Sequence, residues 1–373
     1  MDHRLSYPSR RRVGEPSRAL LSVPFVLIAV VTAVDMAAPP DVHLGPFLVA
    51  APAVTASFAG PRMTGFVGVV AVAAQAAVAG ARTTLTDLNH TFQIIALVLI
   101  SIFVTFFAHL REVHERQLTQ LRSVAEAAQQ VVLRPLRDRM GPLRLAAVYL
   151  AAEAEAQIGG DLYAATRTAQ GTRLIIGDVR GKGLEAVGDA ALVLGAFRAA
   201  AHHDVDLPAL VDHLEGAVVT DPDSDAGPGG DQDGPPGEAF TTAAVLDVPD
   251  AERTVHLISC GHPPPLLLRG GRAVPLEVDR PGPPLGLSAL AGSGFTAQAF
   301  PFEPGDMILL YTDGVIEARD AAGVFYPLQE RAADWPGDGP EALLRHLCRD
   351  LLAHSPGGRL GDDAAIVAIE RVG

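Results

Sequence analysis

Four aspartates have the side chains and spacing to do chemistry. Asp161 follows Gly159-Gly160, and Asp178 stands between Gly177 and a Gly181-Lys182-Gly183 turn. Asp313 precedes Gly314, and Asp362 heads an Asp362-Asp363 pair. Each abuts an apolar run that reads as a β-strand. A single Asp beside Gly is ordinary turn chemistry, but four of them at strand ends form a repeated arrangement. Carboxylates held together repel, which raises the pKa of one of them. A hard divalent cation relieves that repulsion, because it takes oxygen ligands. The set suits two divalent ions about 3.5–4 Å apart, which lower the pKa of a water and hold a phosphate for in-line attack.

The elements must then bring the acids together. Ile158–Gly183 reads as a β-hairpin, with strands at Leu162–Thr168 and Arg173–Val179 and a turn at Ala169–Gly171. An antiparallel pair sets the start of one strand beside the end of the next, so Asp161 is expected beside Asp178. Further strands are predicted at Leu145–Ala152, Phe240–Val248, Thr254–Ser259, Pro265–Leu268, Met307–Thr312 and Ala364–Ile369. Hairpin turns fit at Pro249–Glu252 and Gly270–Gly271. Helices are predicted at Leu184–His202, Pro208–Val219 and Glu341–His354. Hairpin-linked strands with helices between them indicate an α+β domain of antiparallel sheets. Residues Asp221–Gly237 (DPDSDAGPGGDQDGPPG) cannot pack a core and read as a disordered acidic loop.

Other chemistry is poorly supported. No Ser/His/Asp or Cys/His arrangement is evident, and Gly181-Lys182-Gly183 lacks the spacing of a P-loop. His262, in SCGHPPPLLL, reads as a structural histidine rather than a general acid. Lys182 either contacts phosphate or faces solvent, and Glu317 and Arg319 read as a surface turn. Cys260 and Cys348 have no metal or disulfide spacing. The net charge of -14 argues against nucleic-acid binding.

The first third of the chain differs. Residues 1–18 form a basic tail, and apolar runs follow at Ala19–Val34, Leu44–Gly60, Met63–Ala81 and Phe92–Ala108. Each is near the lower end of the roughly 17–25 residues a membrane helix needs. Four spans over 19–108 are therefore expected. They explain a mean hydropathy of +0.24 that is high for a soluble chain. The arginine-rich tail predicts a cytoplasmic N-terminus, and four spans return the chain to the cytoplasm. Residues 109–142 form a linker, in which Leu110, Val113, Leu118, Leu121, Val124 and Ala128 recur at helical spacing. A signal helix that pairs with its twin in a homodimer fits that pattern.

The runs IGGDLY, GDVRGKGLEA, CGHPPPLLL, LLYTDGVIEAR and DDAAIVAI, in this order, resemble the SpoIIE-like bacterial branch of the metal-dependent protein phosphatases (the PPM, or type 2C, superfamily). The resemblance spans about Ala125 to Ile369, and it implies an αββα sandwich of two antiparallel sheets flanked by helices over residues 143–373. It also implies hydrolysis of phosphoserine or phosphothreonine in proteins with two Mn²⁺ or Mg²⁺ ions. Carried over, Asp161, Asp178, Asp313 and Asp362 are the catalytic metal ligands, joined by the backbone carbonyl of Val179, with Asp363 alongside. Relatives act on anti-sigma-factor antagonists, so a partner-switching substrate is implied. Arg180, Ser259-Cys260 and Ala365 depart from the usual residues without removing a metal carboxylate. Three functions follow as expectations: a membrane-anchored protein phosphatase, a binding module that keeps the fold, or a transporter. The spans hold almost no central ionisable residues, which disfavours the transporter.

Overall fold

The structure is a computed structural model that describes residues 18–39, 44–81, 88–152, 159–203, 205–219, 240–291, 294–335 and 339–372. The basic tail up to residue 17 and the acidic loop at 221–237 lie outside the described residues. The chain divides into two compact units, Met1–Gln120 and Leu121–Gly373.

The first unit is helical: α1 (Arg18–Ala37), a 3-10 turn (Gly45–Val49), α2 (Ala50–Phe58), α3 (Pro61–Ala81) and the start of α4 (Leu88–Val132). Three helices, Ala19–Ala37, Pro61–Ala81 and Thr91–Gln117, are long and apolar enough to cross a membrane. Their outward residues, such as Val26, Val30, Val69, Leu99 and Phe103, are large and apolar, as a lipid-facing surface requires. The predicted second span, Leu44–Gly60, is different: it folds as the short apolar segment Gly45–Phe58. Pro46 starts the 3-10 turn. Ala59 is extended, and Pro61 disfavours helix at Gly60, the residue before it. The segment therefore stops short of a spanning length.

The second unit layers helices on both outer faces of two sheets. The first sheet has the order β1 (Arg139–Met140), β2 (Leu143–Leu150), β11 (Ala364–Arg371), β10 (Met307–Tyr311), β7 (Leu266–Arg269), β8 (Arg272–Pro275). The second has the order β3 (Gly159–Arg167), β4 (Gly171–Lys182), β5 (Thr241–Pro249), β6 (Thr254–Cys260), β9 (Gln298–Pro301). All strand pairs are antiparallel. Helices α5 (Leu184–Ala200) and α6 (Leu207–Val219) cover the second sheet, while α9 (Leu328–Ala333) and α10 (Pro340–His354) cover the first. This is the expected αββα sandwich.

Burial on both faces explains the unbroken apolar character of the central strands. In β11, Ala365, Val367 and Ile369 join the core between the sheets, while Ala364, Ile366 and Ala368 pack toward α10. In β10, Ile308 and Leu310 alternate in the same way with Met307, Leu309 and Tyr311. Successive side chains of a strand point to opposite faces, so only a strand covered on both sides reads MILLY or AAIVAI. The edge strands β8 and β9 are four residues each; RAVP and QAFP carry proline and little apolar pattern, and both escaped prediction.

Candidate metal centre

The hairpin places the first two acids as the sequence implies. Asp161 and Asp178 are direct cross-strand partners, with a register shift between Gly159 and Asp161. Asp313 opens the short helix α8 (Asp313–Ile316) immediately after β10, and Asp362 and Asp363 lie in the bend before β11. One cavity of about 330 Å³ is lined by Asp161, Asp178, Val179, Asp313, Asp362 and Asp363. Every residue named from the sequence as a ligand therefore reaches the same rim. Phe240, Thr242, Arg180 and Lys182 complete the wall.

The electrostatics follow from this crowding. Asp161 is 4% exposed. Burial first, then the Asp178 carboxylate, holds it well above the ordinary carboxylate range. Burial, with Asp313 and Asp362 behind it, pushes Asp178 up to about 7. Asp313 is raised by burial and then by Glu317 and Asp362. Asp363 is raised chiefly by burial and opposed by the backbone N–H of Ala152, which donates to it at 2.6 Å.

Two details escaped the sequence. The Thr312 hydroxyl donates to Asp161 Oδ2 at 2.8 Å and accepts from the Ala365 N–H at 2.9 Å. It ties the acid of one sheet to two strands of the other. Its sequence signal is the tripeptide Thr312-Asp313-Gly314, a hydroxyl next to the third acid. The paired acids also separate. Asp363 is buried on Ala152, while the Asp362 carboxylate is half-exposed and pairs with Lys182 Nζ at 3.0 Å. That pairing raises the Lys182 pKa. Arg180 lies over the Phe240 ring at 5.2 Å.

His262 does not line the cavity. It is 6% exposed, and its Nε2 donates to the Tyr311 carbonyl at 3.1 Å. Its Nδ1 then accepts from the Thr242 hydroxyl at 3.1 Å. Burial lowers its pKa to about 4, only partly offset by the Tyr311 carbonyl. It is a neutral bridge between Thr242 of β5 and Tyr311 of β10.

The carboxylates and the Val179 backbone make an all-oxygen donor set, the chemistry a hard divalent cation takes. The residues fit such an ion. Among the described residues, no three His, Cys, Asp or Glu side chains stand gathered as a finished site; Asp161, Asp362 and Asp363 are engaged by Thr312, Lys182 and Ala152.

Residues 168–372, more than half of the chain, match the family described as Stage II sporulation protein E (SpoIIE). The chain belongs to the SpoIIE family. It is a SpoIIE-like member of the metal-dependent protein phosphatases, and the matched region contains Asp178, Asp313 and Asp362. The SiaA-PP2C domain of Pseudomonas aeruginosa shares the fold at a TM-score of 0.56 and 17% identity, over 69% of this chain and 98% of that one. The RsbU and RsbW domains of Rv1364c from Mycobacterium tuberculosis give a TM-score of 0.49 at 24% identity, over 64% of this chain and 61% of that one. Protein IcfG of Synechocystis is 26% identical over 129 residues, which are 34% of this chain and 20% of IcfG. The SpoIIE-family chain thus matches nearly all of the SiaA-PP2C domain but only 61% of the Rv1364c structure and 20% of IcfG.

Proposed function

We propose that this SpoIIE-family chain is a membrane-anchored, metal-dependent protein serine/threonine phosphatase. One observation carries the reading: four acids from separate strand ends line one cavity at the rim of the sandwich. Asp161, Asp178, Asp313, Asp362 and the Val179 carbonyl would hold two Mn²⁺ or Mg²⁺ ions. Bound there, the ions supply Lewis acidity that makes water nucleophilic near neutral pH and offset phosphate charge. The chain's own residues do the rest. Thr312 fixes the Asp161 carboxyl, Asp363 braces the loop at Ala152, and Arg180 and Lys182 offer cations beside the acids.

The substrate is a phosphorylated protein, and an anti-sigma-factor antagonist in a partner-switching circuit fits the family resemblance. The division into a basic tail (1–18), membrane region (19–108), linker helix (109–142) and phosphatase domain (143–373) belongs to the same proposal. So does a homodimer through the linker, and so does a cytoplasmic phosphatase domain.

The full chain in detergent should hydrolyse a phosphoprotein or p-nitrophenyl phosphate only with Mn²⁺ or Mg²⁺, and Asp178→Ala and Asp313→Ala should abolish turnover. Unchanged rates in either variant would refute the reading. A folded chain that binds no divalent ion in calorimetry would instead be the non-enzymatic binding module.

A further inference from the structure

A second polar cavity lies in the phosphatase unit, away from the acids. It has a volume of about 440 Å³, inside the roughly 300–1,000 Å³ range of small-molecule sites. Its charged lining is made of arginines, Arg134, Arg137, Arg167 and Arg198, with His202 beside them and no Asp or Glu. Arg167 is already neutralised, because its guanidinium holds the Asp250 carboxylate in a two-pronged pair, one arm at 2.7 Å. The other three guanidiniums have no carboxylate partner among the described residues.

Capping the end of α5 does not account for these cations. At the end of α5 the Phe197 and Ala200 carbonyls accept from the Ala201 and His203 N–H groups, and just beyond it Arg173 donates to the Ala201 and His203 carbonyls at 3.3 Å and also to Val205. Arg198 instead spends one N–H on the Val132 carbonyl at 2.9 Å, at the end of α4. It is half-buried, and burial, followed by the like charge of Arg134, holds its pKa below the ordinary value. Arg134 and Arg198 thus bring like charge to one cavity whose lining holds no carboxylate. Pro135, Leu136 and Met140 add apolar surface to the same lining.

We propose that this cavity binds a phosphate-bearing ligand, with the phosphate held by Arg134, Arg198 and His202 and an apolar moiety resting on Leu136 and Met140. Guanidinium forks match phosphate oxygens in pairs, and a dianion removes the Arg134–Arg198 repulsion. The site is separate from the acidic cavity. Helix α5 runs from the Gly181-Lys182-Gly183 turn to this pocket, about 25 Å at 1.5 Å per residue.

The test is calorimetric titration of pyrophosphate into the full chain, in phosphate-free neutral detergent with EDTA and low salt. Saturable binding is expected. Arg134→Gln combined with Arg198→Gln should weaken it by about tenfold or more, measured below the melting transition of the variant, which also loses the Arg198–Val132 hydrogen bond. The single variant Arg134→Gln serves if that double variant does not fold. Lys182→Ala, in the acidic cavity, should leave binding unchanged. In phosphatidylcholine discs, competition from added phosphatidylglycerol keeps the phosphate site and assigns its source to a lipid headgroup. Indifference to that lipid assigns a soluble ligand. No heat with pyrophosphate, or equal affinity in the arginine variants, overturns the proposal.

Discussion

Asp178→Asn should make the chain more stable above neutral pH once divalent ions are stripped. Asp178 has an ordinary value of 3.8 and is pushed to about 7 by burial, Asp313 and Asp362. The folded chain therefore holds a proton on this group that the unfolded chain has already released. Stability falls with rising pH wherever the folded state binds more protons. The loss begins near pH 4, accumulates up to about pH 7, and is complete above it. The gap between 3.8 and about 7 corresponds to about 4 kcal/mol at pH 8, an upper figure for a group that is not fully buried. Trp335 is the only tryptophan and lies in the phosphatase unit, so urea unfolding followed by its fluorescence reports that unit. With EDTA, wild type should lose several kcal/mol between pH 5 and pH 8. About two pH units of the shift lie between pH 5 and pH 8, so the Asn variant should lose less by about 3 kcal/mol over that range, and saturating Mn²⁺ should restore the wild type at pH 8, since a ligand that binds only the folded state stabilises it. Parallel pH curves for the two proteins would refute the account of carboxylate crowding.

Thr312→Val removes the hydroxyl shared by Asp161 and the Ala365 N–H; the expected cost is about 1–3 kcal/mol by urea melt, with weaker Mn²⁺ binding by calorimetry. Lys182→Ala frees Asp362. Because both side chains are half-exposed, the unfolding midpoint should barely move, while Mn²⁺ affinity should rise severalfold. His262→Ala breaks the link from Thr242 to Tyr311 and should cost roughly 2–4 kcal/mol, yet the folded fraction should still turn over p-nitrophenyl phosphate. Loss of turnover in fully folded protein would make His262 part of the chemistry.

The hairpin was legible because its two strands are uniform and its turn is short, so the register that pairs Asp161 with Asp178 follows from counting. The sandwich was legible for a similar reason: MILLY and AAIVAI need cover on both faces. Less visible was whatever depends on a neighbour distant in sequence. Nothing local in DDAA says that Asp363 turns inward to the Ala152 N–H while Asp362 faces Lys182. Thr312 looks like any strand-end threonine until β3 and β11 arrive on either side of it. Gly45–Phe58 misled because its composition suits a span while its prolines and its Gly60-Pro61 boundary shorten the helix.

Gly314 is in contact with the far end of the chain. A Cβ built there would collide with the backbone carbonyl of Asp363, and the Asp363 carbonyl carbon would be 2.9 Å away. The obstruction is main chain, which cannot swing aside as a flexible side chain can. Asp313-Gly314 and Asp362-Asp363 therefore behave as one interlocked part, although 48 residues separate Gly314 from Asp362 in the numbering. Grafting the acids onto another sandwich would fail unless both segments were moved together with the glycine. A search for distant relatives gains a filter from the same contact: a sequence with all four acids but an alanine after the third would have the right donors on a backbone that cannot close.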